Sequence, residues 1–380
     1  MIADYETLKL IWWVLVGVLL IGFALTDGFD MGVGALLPFL GKTDEQRRII
    51  INTVGPHWEG NQVWFVTAGG ALFAAWPLVY ASAFSGMYGA LIITLMALFL
   101  RPVGFDYRSK QDSTRWRNNW DWALFLGSII PPIIFGVAFG NLFLGLPFRF
   151  DDLMISSYQG NLFGLLTLFP LMAGILSLSM LVMHGAVWLG LKSDGIVRTR
   201  ANRATVKAAV ITALLFGICG VWVASGMDGL AIQDLADTNG VADPTAKTVQ
   251  IEAGAWLANY GRWPGLIIFP ALGLVMPFLT ATLCARQKEG WGFLTSSLSI
   301  IGIICTAAVS LFPFIMPSSL EPNHSLTVWD ATSSALTLNI MLMVAAVFVP
   351  LVLGYTLWSY YKMWGRMDEQ QIREQSHSLY

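Results

Sequence analysis

Pro56-His57-Trp58-Glu59-Gly60-Asn61-Gln62-Val63-Trp64 opens an apolar run over 63–76 that is long enough to enter a membrane. It sets an imidazole and a carboxylate at the mouth of that run. Asp27-Gly28-Phe29-Asp30-Met31-Gly32-Val33-Gly34 places two more carboxylates inside the first apolar run of the chain. Ionisable side chains in hydrocarbon are expensive, so their presence at these two places asks for a reason.

Working outward, apolar segments of about 20 residues recur from one end of the chain to the other, the length that crosses roughly 30 Å of hydrocarbon. Of the 380 residues, 56% are hydrophobic and 12% charged. The composition is that of one polytopic membrane domain over 1–380. Nine spans are expected at about 8–39, 54–75, 78–100, 120–144, 162–191, 204–225, 264–285, 293–313 and 335–361. Backbone groups in lipid are satisfied within each segment only in a helix, so the fold class is all-α integral membrane. Trp76-Pro77 leaves almost no connection, which predicts a tight hairpin of the second and third spans.

Charge placement tests the count. With the N-terminus outside, nine spans put every Lys and Arg on the inner side except Lys9, Arg149, Lys247 and Arg262. That satisfies the positive-inside rule with the C-terminus inside. The first apolar run lacks the basic start and cleavage site of a signal peptide, so it is expected to be retained. Residues 42–52 read differently: Thr43 with Gln46 gives a capping-box signal, and Ile49 to Ile51 predict a short helix lying on the inner leaflet. The acidic stretch 226–264 reads as a solvated outer loop, or as a lid over a ligand.

On this count no Lys or Arg lies within the membrane, and the acids inside spans are Asp27, Asp30 and Glu59. Asp27 sits about 19 residues along its helix from Leu8, roughly 28 Å at 1.5 Å per residue, in the inner quarter of the bilayer. Glu59 and His57 start their span from the inner side, so all four are expected at similar depth. Asp27 and Asp30, spaced i and i+3, share a helical face, and Gly28, Gly32 and Gly34 allow close helix approach there. One reading is a proton path through Glu59, His57, Asp27 and Asp30, in which desolvated carboxylates exchange protons with an imidazole and water. The other is helix capping and interhelical hydrogen bonding. His184, within the fifth span, is a haem-ligand candidate or a packing residue. His324 and His377 have no metal-ligand spacing around them, and Cys219, Cys284 and Cys305 show no paired spacing. Phosphate-binding, nucleophile-elbow and nucleic-acid signatures are absent, so no nucleic-acid partner is expected.

IWW at 11–13, TDGFDMGVG at 26–34, HWEGNQVW at 57–64, GGALFAAWP at 69–77, RPVGFDYRSK at 101–110, RWRNNWDW at 115–122, FPFIMPSS at 312–319 and LTVWDATSSALTL at 326–338 together resemble subunit II of the cytochrome bd-type quinol oxidases. The likeness runs over nearly the whole chain except 228–262. It implies two four-helix bundles plus one peripheral helix, in the bacterial cytoplasmic (inner) membrane. It implies a heterodimer with subunit I, which carries two b haems and haem d, while this chain binds no haem or metal and has no catalytic residue of its own. The complex would oxidise quinol, reduce oxygen to water, and build proton motive force by charge separation without pumping. The acid of the HWxGN motif, Glu59 in this chain, would take protons from the cytoplasm; many relatives carry Asp there. A small single-span subunit is a further candidate partner, and a quinone or lipid a candidate occupant of an apolar groove. The competing readings are a proton-coupled membrane transporter and a subunit holding haem through His184 or His57.

Overall fold

The computed structural model describes residues 3–235 and 237–367. Its helices are α1 (Tyr5–Leu25), α2 (Asp27–Leu40), α3 (Asp44–Asn52), α4 (Trp58–Ala75), α5 (Pro77–Gly86), α6 (Tyr88–Tyr107), α7 (Thr114–Leu144), α8 (Leu168–Lys192), α9 (Gly195–Gly226), α10 (Ala258–Arg262), α11 (Ile268–Ala285), α12 (Glu289–Leu311) and α13 (Ala335–Lys362). Short strands β1 (Phe148–Phe150) with β2 (Ser156–Tyr158), β3 (Asp228–Leu235) with β4 (Lys247–Ala253), and β5 (Phe314–Met316) with β6 (Leu326–Thr327) form three antiparallel hairpins. Among the described residues, eight helical segments are long and apolar enough to cross a membrane, counting α1–α2 as one, and the bent pair α4–α5 is a ninth candidate.

The chain is a multi-pass, mostly helical membrane protein. One group of helices comprises α1–α2, α4, α6 and α7, and the other α8, α9, α11 and α12. They meet where α8 packs on α2 and α7, while α13 runs along the outside against α1 and α4. At the α2–α8 crossing the backbones touch. A Cβ on Gly32 would lie 2.1 Å from the Leu181 carbonyl oxygen, and one on Gly185 would lie 2.5 Å from the Gly32 carbonyl carbon. Small residues are therefore obligatory on both helices.

The α1–α2 span is broken at Thr26 (φ −103°, ψ −73°). Its hydroxyl and its amide both donate to the Gly22 carbonyl, at 2.8 and 3.0 Å. The break starts a new helix with Asp27 and Asp30 in its first turn, where the helix dipole favours acids.

Two expectations need correction. The third span is not 78–100. Trp76 (φ −131°, ψ 75°) leaves the helix because the following Pro77 bars a helical conformation before it. α5 then departs from α4 at 118° as a lateral bridge, and the next span begins at Tyr88. The predicted short helix exists as α3, and the Thr43 hydroxyl accepts from the Gln46 amide at 3.3 Å. However, Ile49, Ile50 and Ile51 are all buried in the protein, the last two in a cluster with Phe29, Val33 and Leu37, and do not face lipid.

Within 226–264, β3 and β4 pair as a hairpin, followed by α10. Lys247 joins it to the 326–334 segment through an ion pair with Asp330 at 2.9 Å, and donates to the Pro244 carbonyl at 2.6 Å. Burial pulls the Lys247 ammonium below its ordinary range and the Asp330 carboxylate opposes that shift. Lys9 adds bonds to the Thr238 and Trp329 carbonyls at 2.9 and 2.6 Å.

Candidate functional site

The opposite end of the molecule carries most of the basic residues, and it is here that Asp27 and Asp30 lie. Asp27 and Asp30 are 0% and 1% exposed. Arg101, on α6, grips Asp27 with both guanidinium nitrogens, Nη2 to Oδ1 at 2.5 Å and Nη1 to Oδ2 at 3.0 Å. This bidentate fork matches the planar carboxylate and compensates its charge in a buried setting. Arg101 is itself buried, which corrects the expectation that no Lys or Arg lies within the membrane. The cause is the α5 bridge: it takes up residues 77–86, so α6 starts later and carries residue 101 into its last two turns.

Asp30 has a different surrounding. Its Oδ2 accepts from Asn61 Nδ2 at 2.8 Å, and its buried Oδ1 has no hydrogen-bond partner among the described residues. Tyr360, near the end of α13, donates to Asn61 Oδ1 at 2.6 Å, which fixes the amide with its NH2 group toward Asp30. The Tyr360 ring lies flat on His57, with centroids 4.2 Å apart and planes 3° from parallel. His57 sits at the N-cap position of α4, makes no capping bond with its side chain, and is buried. Trp188, anchored by its indole N–H to the Thr53 carbonyl at 3.1 Å, walls off the same space. A cavity of about 230 Å³ borders Tyr360, Thr26, Phe29, Trp188 and Ser297.

The structure thus brings Asp27, Asp30 and His57 to one end of the helices, and separates Glu59 from them. Glu59 is exposed, whereas Asn61 two residues later is buried. Two residues rotate about 200° around a helix, so α4 turns its glutamate outward and its asparagine inward. Sequence reasoning missed Arg101, Asn61 and Tyr360. Two unpaired carboxylates in a membrane span were themselves a signal that a buried cation must be near.

Two of the histidines engage ring nitrogens within the chain. His184 uses both ring nitrogens, Nδ1 with the Ser296 hydroxyl at 2.8 Å and Nε2 with the Leu25 carbonyl at 3.1 Å, the acceptor set free by the break at Thr26. His324 Nδ1 accepts from the Phe150 amide at 3.0 Å. Among the described residues no cluster of three or more His, Cys, Asp or Glu could hold a metal ion. His377 lies outside the described residues.

Below Asp30 and Asp27, ion pairs tie the basic end together. Arg108 donates to Asp121 at 2.6 and 3.2 Å and to Asp44 at 2.8 Å, while Arg47 reaches Asp121 at 2.7 Å.

The chain is 54% identical over 377 residues to cytochrome bd-I ubiquinol oxidase subunit 2 of Escherichia coli strain K12, covering 99% of this chain and 100% of that protein. It is 32% identical over 363 residues to cytochrome bd ubiquinol oxidase subunit 2 of Bacillus subtilis, covering 95% and 97%. A chain of the bd oxidase from Geobacillus thermodenitrificans shares the fold, with a TM-score of 0.66 at 15% identity over 94% of this chain and 99% of that one. Residues 8–363 match the family described as cytochrome bd terminal oxidase subunit II, and the chain belongs to that family.

Proposed function

We propose that this chain is the haem-free subunit of a quinol-oxidising, oxygen-reducing complex and that it supplies protons to the reaction from the cytoplasm. As a subunit II it has a subunit I partner. In this reading the partner carries two b haems and haem d, which transfer the electrons. The end rich in Arg and Lys faces the cytoplasm, in keeping with the positive-inside rule. Protons consumed on that side and released from quinol on the other would separate charge without a pump.

One observation carries the proton reading: Asp30 is buried, held at one oxygen by Asn61, and bare at the other. A buried carboxylate oxygen without a donor is a place where a proton can be held and passed on. Asn61 cannot itself relay a proton; it positions Asp30 and is positioned in turn by Tyr360. His57 stacks against the same tyrosine and so adds an imidazole to this group of side chains. Asp27, neutralised by Arg101, sets the local field. Glu59 stands on the outer face of α4, where it can pass protons to the partner subunit.

The test is Glu59→Gln in the assembled complex. Slowed oxygen consumption with an unchanged haem spectrum is expected. Wild-type turnover would remove Glu59 from the path.

A further inference from the structure

A second concave site lies at the basic end, distinct from the space around Asp27 and Asp30. It is an open cleft of about 690 Å³ between the start of α12, the end of α8 and the segment after α13, lined by Leu191, Gln287, Lys288, Trp291, Leu294 and Arg366, with Glu289 at its base. The geometry points to a binding site for an anionic phospholipid, with its phosphate on the Lys288 side and an acyl chain along Trp291 and Leu294.

Charge is the first argument. Glu289 is buried and already matched by Arg198, which donates to it at 2.8 and 3.0 Å, and by Asn202 at 2.8 Å. Arg366 shares its charge with Asp194 at 3.0 Å. Lys288 is exposed and has no ion pair among the described residues. The cleft therefore keeps one uncompensated positive charge, and the adjacent N-terminus of α12, without a side-chain cap, adds to it.

Backbone geometry is the second. The α11–α12 turn closes with the Gln287 amide donating to the Cys284 carbonyl at 3.0 Å and the Lys288 amide to the Leu283 carbonyl at 2.9 Å. That is the Schellman pattern, in which the residue at Gln287 is usually glycine because φ is positive. Here φ is 56° at a glutamine. A strained turn that keeps a side chain places an amide donor on the rim of the cleft.

The third argument is the apolar wall. Trp291 is 65% exposed and Leu294 47% exposed, on one face of the first turns of a membrane-spanning helix. A tryptophan at the head-group level above an apolar side chain facing the acyl region suits a lipid, and the positive charge selects an anionic one.

The test uses the whole purified oxidase complex in native mass spectrometry, titrated with dioleoyl phosphatidylglycerol and, separately, dioleoyl phosphatidylcholine. Wild-type complex should retain one more phosphatidylglycerol than Lys288→Gln complex at matched concentration. The apparent affinity should fall about fivefold per charge removed, while phosphatidylcholine retention stays equal. Lys288→Arg should retain the wild-type behaviour, and Trp291→Ala should weaken binding without changing the haem spectrum. Equal phosphatidylglycerol retention by wild type and Lys288→Gln would overturn the proposal. Displacement of phosphatidylglycerol by millimolar inorganic phosphate would also overturn it, because the site would then read free phosphate.

Discussion

Asp27 and Asp30 are one helical turn apart on the same helix, both buried, yet they occupy opposite kinds of site. On the α6 side, Asp27 meets a guanidinium with two parallel bonds, and both of its oxygens are filled. On the α4 and α13 side, Asp30 meets only a neutral amide, and one oxygen is left bare. The first arrangement is closed: charge and hydrogen-bonding capacity are matched within the protein. The second is open at one atom. Identical residue types at helical spacing thus have different surroundings, one tied to a cation on another helix and the other left with one unpartnered oxygen.

The contrast breaks most visibly at Arg101. Arg101→Met leaves Asp27 as an uncompensated buried charge, a loss of about 3–5 kcal/mol. The expected outcome is little or no assembled complex, read as haem content per membrane protein. Tyr360→Phe should do less. It removes the hydroxyl that orients Asn61, costing about 1 kcal/mol of stability, so the complex assembles. Oxygen consumption should nonetheless fall several-fold, since Asn61 can rotate away from Asp30. Unchanged turnover would mean that the amide needs no such support. The smallest effect is expected from the pair Asp27→Asn with Arg101→Met. Removing both charges abolishes the burial penalty along with the attraction, so assembly should recover and turnover should stay close to wild type. A double variant that assembles but is inactive would move Asp27 from the structural to the proton-handling side.

Much of this was legible in the chain. Length and spacing of the apolar runs, with the placement of Lys and Arg, gave the helical membrane class and a count of spans that the helices match. The depth argument brought Asp27, Asp30 and His57 to one end. Three things stayed hidden for physical reasons. Pro77 was visible, but hydropathy cannot tell a helical hairpin from a helix, a 118° bend and a lateral bridge, because all three are apolar. That misplacement moved Arg101 into a loop on paper and hid the partner of Asp27. Tyr360 is 299 residues from Asn61, a separation over which no local pattern operates. Glu59 and Asn61 looked alike in the sequence because burial depends on helix rotation, and the weak amphipathicity of α4, with Gly, Ala and Val around it, left that rotation unmarked.

The central claim is that Asp30 holds a proton that the oxygen reaction uses. It is tested most directly by proton uptake from solution, followed with a pH-indicator dye, during a single turnover of the fully reduced complex with oxygen. In Asp30→Asn complex of wild-type haem content, uptake should slow by roughly tenfold or more, as for the loss of a proton-transfer group, while the first electron transfer keeps its rate. Proton uptake at the wild-type rate in that variant would contradict the account.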